Sequence, residues 1–336
     1  MVPRSEKEKL KHGNPVLVTT TRGPIIENRH TGALAIADSH GKIRDAWGDI
    51  ERPILPRSSV KMIQALPLME SGAADAMGLT DEHLALACAS HEGASAHTTR
   101  VTAWLASMGL DETALLCGPQ PPRDRAMKTA GIPASRILNN CSGKHTGFLA
   151  YSRHIGASQD AYLDPSAQVQ RDIAQVFVET THCDAPPGYG IDGCSAPNFI
   201  ASVAGVARAM ARFAAPAQDA RGAAMIRLRD AMRAHPVLMS GEGRACAALI
   251  EASDGRAVVK TGADGVFTGI VPEKGVGFCL KIDDGNTAAA EALCAAVLVH
   301  LDVLDDAHPA VERYAGTPIR NFNGEVCGER RVTLPA

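Results

Sequence analysis

The chain is poor in aromatic residues, in net charge and in long apolar runs, and each shortage narrows what it can do. Aromatic residues make up 4% of 336 positions, with two Trp, which argues against a binding surface built on stacked rings. The net charge is -3 and no Lys/Arg run lies beyond the first twelve residues, so nucleic acid and anionic membranes are poor partners and small molecules are the expected ones. No apolar run approaches the length of a membrane span. Met1 to Asn14 is polar and has no signal-like apolar centre. These features predict a flexible segment over 1–14 and a cytoplasmic protein. Nucleotide binding has no support, since neither G-x-G-x-x-G nor a Walker loop follows a predicted strand. The nine cysteines are odd in number and irregularly spaced, which predicts thiols rather than a disulfide framework.

What remains is a chain that is 45% hydrophobic and rich in Gly and Ala, long enough to bury a large core. Strands are predicted over 15–20, 32–38 and 43–47, and again over 257–261, 265–271, 277–282 and near 331–334. Helices are predicted over 57–69, 82–89 (capped by Asp81), 98–108, 144–154, 167–180, 197–213, 221–234 and 287–304, with Pro197 at the first position of its helix. Strands at both ends with helices between them point to an α+β fold. Its antiparallel sheet is built from both termini, with flanking helices and a helical insertion over about 94–240. Residues 15–336 then form one domain.

Three patterns carry chemistry. In Arg57-Ser58-Ser59-Val60-Lys61, Ser58 and Lys61 stand at i and i+3 and share one helix face. A serine needs a base to become a nucleophile, and a lysine held neutral by burial can serve. The plain alternative is an N-cap at Ser58 or Ser59 with Lys61 in solvent. Lys260-Thr261-Gly262, on a predicted strand, is the type of element that sets a second lysine beside a Ser-x-x-Lys helix, with Ser90 as its hydroxyl partner. Two lysines in proximity depress each other's protonation. Third, Cys141 in Asn139-Asn140-Cys141-Ser142-Gly143-Lys144-His145 and Cys194 in Asp192-Gly193-Cys194 each sit in a Gly-containing turn before a helix, where a thiolate is favoured. Two thiolates suit a soft divalent cation, most plausibly zinc, with His145 the ordinary nominee for a third ligand and Lys144 an uncommon one.

Together with C-A-S-H (88–91), G-P-Q-P-P (118–122), A-M-R-A-H-P (231–236), K-T-G-A-D-G-V (260–266) and K-I-D-D-G (281–285), these motifs resemble the thermolabile, rhizobial-type L-asparaginases from about residue 15 to 305. The resemblance implies a serine β-lactamase-like and glutaminase-like fold, hydrolysis of L-asparagine to L-aspartate and ammonia, and a homodimer. It also implies Zn2+ held by Cys141, Lys144 and Cys194, with Asp192 beside it and two Ser-Lys pairs, Ser58 with Lys61 and Ser90 with Lys260. The chain departs from many relatives at Glu92-Gly93-Ala94, where they read Ser-Gly-Glu, and after Arg244, where Ala245-Cys246 stands in place of x-Asp-Thr. Ser58 is favoured as nucleophile because its lysine is local, and the choice between Ser58 and Ser90 stays open. Arg57 or Arg244 is nominated for a substrate carboxylate and Asp264 for its ammonium. Two rivals are a D-peptide or β-lactam hydrolase on the same fold, and a zinc-stabilised binding protein whose serines are only caps.

Overall fold

The computed structural model describes residues 13–316 and 318–334. The expected flexible segment therefore falls almost wholly outside the described residues. Asn14, at its edge, is anchored: its amide donates to both carboxylate oxygens of Asp283, at 3.0 and 3.1 Å.

An eight-stranded sheet is the frame. Its strands are β1 (Val16–Arg22), β2 (Ile25–Asp38), β3 (Ile43–Trp47), β4 (Val258–Thr261), β5 (Val266–Val271), β6 (Val276–Ile282), β7 (Pro318–Arg320) and β8 (Val326–Val332). They run in the order β7-β8-β1-β2-β6-β5-β4, with β3 also on β2, and every pairing is antiparallel. The expected sheet built from both ends of the chain is thus present. At its centre β2 meets β6 with Leu34 opposite Leu280. Successive strand residues point to opposite faces, and Ala33 through Ala37 are all fully buried. Both faces of the sheet are therefore covered.

The covering is helical. After β3, a 3-10 turn at Arg57–Val60 enters α1 (Lys61–Gln64), followed in turn by α2 (Asp81–Ala87), α3 (Ser142–His154), α4 (Val203–Ala214) and α5 (Ala245–Ala252), and α6 (Thr287–His300) follows β6. Helix α4 packs on β2, β5 and β6, and α6 on β1, β5, β6 and β8. Val203, Val206, Met210 and Phe213 of α4 recur at helical spacing and are all fully buried, each such side chain stabilising the fold by roughly 1.5–3 kcal/mol.

Three local expectations are corrected. Residues 57–69 do not form one helix, because Pro67 has no N–H to donate and its ring crowds the carbonyl four residues back. The chain instead breaks at Ala65 and restarts as Leu66–Glu70. The cap of α2 is Thr80 rather than Asp81: Thr80 and His83 form a reciprocal capping box. Residues 197–213 are not one helix either. Pro197–Phe199 pairs with Tyr189–Ile191 in a ribbon, and helix begins only after Ser202, whose hydroxyl accepts the Gly205 N–H at 3.0 Å. The predicted insertion is accordingly helical from Ser95–Ser107 to Pro236–Met239 but interrupted by this ribbon and by Ala201–Ser202.

Candidate active site

The turn that carries Ser58 is held from three sides. Arg57 adopts φ +56°, a left-handed conformation costing about 1–2 kcal/mol for a side-chain-bearing residue. Its N–H donates to Asn198 Oδ1 at 3.2 Å, and its guanidinium bonds Asp192 at 2.8 Å and also Asp264. The Thr268 hydroxyl on β5 donates to the Ser59 carbonyl at 2.9 Å. Gly262 completes the clamp, since a Cβ there would lie 2.5 Å from the Pro56 carbonyl oxygen and 3.3 Å from Ser59 Cβ. The glycine of Lys-Thr-Gly is thus what lets the end of β4 abut the serine turn. Ser59 is fully buried and donates to Pro56 O at 2.8 Å. Ser58 is half-buried, and among the described residues its hydroxyl has no hydrogen-bond partner.

Two lysines converge on one serine. Ser90 follows the end of α2 and is pinned by its N–H to the Met239 carbonyl at 2.9 Å. Its Oγ lies 2.7 Å from Lys260 Nζ and 3.2 Å from Lys61 Nζ. Lys61, Lys260 and Ser90 are all buried. Lys61 also donates to the Ala89 carbonyl and to Cys141 Sγ, the latter at 3.1 Å. Its three N–H donors are therefore directed at Ala89, Ser90 and Cys141, and none at Ser58. Burial, followed by the charge of Lys61, pulls the Lys260 amine down to about 7.

The sulfur cluster adjoins this pair through Cys141. Helix α3 begins there, and Gly143 on its first turn lies so close to α2 that a Cβ would fall 2.4 Å from the Leu86 carbonyl oxygen. Lys144 Nζ donates to Cys194 Sγ at 3.2 Å. The hydrogen bond with Cys141 overcomes burial and, with the charge of Lys144, holds the Cys194 thiol well below its ordinary range. Burial opposes ionisation of Asp192, but the charges of Lys144 and Arg57 outweigh it and keep its carboxyl below the usual range. His145 is committed elsewhere through Nδ1, which contacts the Tyr162 hydroxyl at 2.8 Å, while its buried Nε2 has no partner. Among the described residues no group of three His, Cys, Asp or Glu side chains forms a metal site. The contacts that do form pair each sulfur with an amine, Cys141 with Lys61 at 3.1 Å and Cys194 with Lys144 at 3.2 Å.

Of the sequence-derived candidates, Lys61, Ser90, Lys260 and Cys141 are joined by hydrogen bonds, as are Lys144 with Cys194 and Arg57 with Asp192 and Asp264, whereas the Ser58 hydroxyl bonds none of them. Arg244, at the N-cap of α5, touches none of them by hydrogen bond, yet its charge reaches Lys260. Sequence reasoning overlooked Thr268, Cys117 and Arg123. Cys117 senses both Cys141 and Cys194 and is pushed up to about 12, chiefly by burial. Nothing in the spacing of Thr268 or Cys117 marks them. Arg123 directly follows the Gly118–Pro122 loop motif, and that was its available signal.

Solved structures that the chain partly resembles include a beta-lactamase from Mycobacterium bovis, at 14% identity over 80% of this chain and 94% of that one with a TM-score of 0.43. A putative beta-lactamase from Bacteroides dorei gives 12% identity over 81% and 93%, TM-score 0.43. Mglu in its tris and glutamate form gives 14% identity over 89% of this chain and 65% of that one, TM-score 0.46. No curated protein matches the chain. The sequence does match a family described as L-asparaginase II over residues 18–332, nearly the whole length and all the side chains gathered above. The chain belongs to the L-asparaginase II family.

Proposed function

We propose that the protein is an L-asparaginase of the rhizobial, thermolabile type that hydrolyses L-asparagine to L-aspartate and ammonia through an acyl-enzyme on Ser58. The observation that carries this reading is the Ser90 hydroxyl held between two buried lysine amines, one of them Lys61, three residues along the chain from Ser58. A hydroxyl with two fixed hydrogen bonds is suited to pass protons, whereas Ser58 attacks only once the Lys61 amine, three residues along the chain, turns to take its proton.

The proton path uses the Lys61–Ser90–Lys260 hydrogen bonds, and its first transfer requires the Lys61 amine to turn from Cys141 to the Ser58 hydroxyl, which it does not bond in this structure. As Ser58 Oγ attacks the side-chain amide carbon, its proton goes to Lys61, which gives one to Ser90, which gives one to Lys260, the neutral amine of the set. Collapse of the tetrahedral oxyanion breaks the C–N bond, and the same protons return to the departing nitrogen. Water then adds to the ester with the path run again. The Ser58 N–H, in the first turn of its helix and without an intrahelical acceptor, is available to the oxyanion; one such donor contributes roughly 3 kcal/mol. Arg57, Asp192 and Asp264 form the charged wall of the pocket that meets the polar substrate.

Two sulfurs and an amine, of which Lys144 Nζ and Cys194 Sγ are 3.2 Å apart, suit zinc, with Cys141, Lys144 and Cys194 as ligands. When bound, the ion would supply a fixed positive charge beside these side chains, and Lys144 and both thiols would release their protons to solvent as they ligate it. The protein is further read as a cytoplasmic homodimer. Tyr189 and Ile191, the latter 66% accessible, are alternate residues on one face of a ribbon strand and leave apolar surface of the kind that association covers.

Ammonia release from L-asparagine, measured beside L-glutamine and nitrocefin, separates this reading from the β-lactam hydrolase. Ser58→Ala is expected to abolish turnover and to remove a covalent adduct visible by mass spectrometry in the quenched wild type. Near-wild-type activity in Ser58→Ala ends the acyl-enzyme reading.

A further inference from the structure

Arg57 and Arg244 were the sequence candidates for a substrate carboxylate, and their surroundings separate them. The Arg57 guanidinium is taken up by Asp192 and Asp264. Arg244 has no such partner: among the described residues its side chain makes neither hydrogen bond nor ion pair, and its Nε is buried without an acceptor. Glu291 on α6 senses the charge of Arg244 but forms no ion pair with it. Unpaired buried guanidinium nitrogens are uncommon, because the group is desolvated with nothing in return.

Its backbone is tied to the catalytic groups on both sides. The segment before it carries the Met239 carbonyl that holds Ser90 N–H, and Arg244 N–H closes a turn onto Gly241 O at 3.3 Å. Two residues further on, Cys246 Sγ accepts the N–H of Thr261, next to Lys260, at 3.2 Å.

Arg123 carries a second guanidinium without a partner among the described residues. Arg123 is exposed, and its side chain makes no hydrogen bond or ion pair among the described residues. Partial loss of hydration, then the charge of Arg244, draws it below the ordinary arginine range, and its charge also reaches Cys141. The N–H groups of Arg123 and Asp124 both donate to the Glu92 carbonyl, at 2.8 and 2.9 Å. The carboxylate of the same Glu92 accepts the Glu242 N–H at 3.1 Å. Gly241 sits at φ +148°, and a Cβ there would be 2.5 Å from Glu92 Cδ. One residue, two positions after Ser90, therefore fixes both arginine-bearing loops. The two loops joined through Glu92 thus each carry a guanidinium with no hydrogen-bonded or ion-paired acid among the described residues, an arrangement that calls for an anion.

We propose that Arg244 and Arg123 together receive the free carboxylate of the substrate, with Glu92 as the positioning residue. The site then selects ω-amides of dicarboxylic amino acids over simple amides and over asparagine within a peptide. For its effect on turnover this inference rests on the amidase reading; for binding it stands alone.

The test is calorimetric titration of L-aspartate into the full-length protein and its Arg244→Gln, Arg123→Gln and Arg244→Lys variants. It is run beside ammonia release from L-asparagine and from 3-aminopropanamide, which lacks only the α-carboxylate. Each Gln variant is expected to weaken aspartate at least tenfold and to raise KM for L-asparagine by a similar factor with kcat changed less than threefold. Arg244→Lys should recover part of the loss, and the wild-type preference for L-asparagine over 3-aminopropanamide should shrink. Aspartate binding within twofold of wild type in both Gln variants, or none in the wild type, overturns the inference. Should Arg244→Gln fail to fold, Arg123→Gln, in an exposed loop, carries the test. Arginine-dependent aspartate binding with no ammonia from any substrate supports the receptor and instead overturns the asparaginase reading.

Discussion

A lysine amine drawn down to about 7 changes protonation where enzymes commonly work, and Lys260 has two measurable consequences. If it must be neutral to take the Ser90 proton, kcat/KM rises with pH through about 7 and levels above it. Lys260→Arg, charged throughout, should lose at least about a hundredfold at every pH, in keeping with the usual contribution of a positioned base. Stability responds too. The unfolded lysine keeps its proton to about 10.4, whereas the folded one has lost it above about 7. Between those values the unfolded state binds more protons, so stability rises with pH across that window, and the cost of the buried charge is fully present below it. Lys260→Met should therefore melt above wild type, with the gap widest below pH 7 and narrowing toward about 10. Thermal midpoints of both proteins at about five pH values check it. A gap that does not change with pH would place the amine in solvent.

At the scale of elements, two glycines decide how close the site-bearing segments come. Gly262→Ala forces β4 away from the Ser58 turn, because the new Cβ has backbone rather than a movable side chain at 2.5 Å. A loss of roughly 1–3 kcal/mol is expected from denaturant unfolding, with a larger proportional loss of ammonia release. Gly143→Ala does the same between α3 and α2. It should lower metal content per chain together with stability, since Cys141 and Lys144 flank it. The sequence made much of this layer legible: β1, β3 to β6, α3 and α6 lie where apolar patterning puts them, whereas β7 had no expected counterpart and β8, at Val326–Val332, begins well before the strand expected near 331–334. It failed where a proline had two meanings. Pro197 suits a helix start or a ribbon edge equally, and pairing with Ile191 decided it. Pro67 ended a helix that Val60, Ile63 and Leu66 appear to continue by spacing alone.

At the scale of the whole molecule, the site joins positions that no local pattern relates. Spacing could suggest Ser58 with Lys61, three residues apart. It could not reveal that the Lys61 amine bonds Ser90 and Cys141, or that Arg57 spends its charge on Asp192 and Asp264, because these depend on how α1, α2, α3 and β4 pack. The cation proposed for Cys141, Lys144 and Cys194 belongs to this scale as well, since its ligands would tie α3 to the Asp192–Cys194 turn. Dialysis against a chelator should lower the thermal midpoint by several degrees and zinc should restore it, in line with stabilisation by a ligand that binds only the folded state. Cys194→Ala should melt at the chelated value and ignore the metal; a midpoint indifferent to chelation in the wild type would remove the cation from the proposal.

The pairing of β2 with β6 sets Asp38 against Val276, and this has a bearing on how the chain is made. The second half of β2, apolar from Gly32 to Ala37, leaves the ribosome early and finds its central neighbour only after most of the polypeptide has been translated. Until then Leu34 and Ile36 have no permanent cover, so the nascent chain is a natural client for chaperones that shield exposed hydrophobic segments. An amino-terminal fragment ending before β6 should accumulate as aggregate even though it carries Ser58, Lys61 and Ser90.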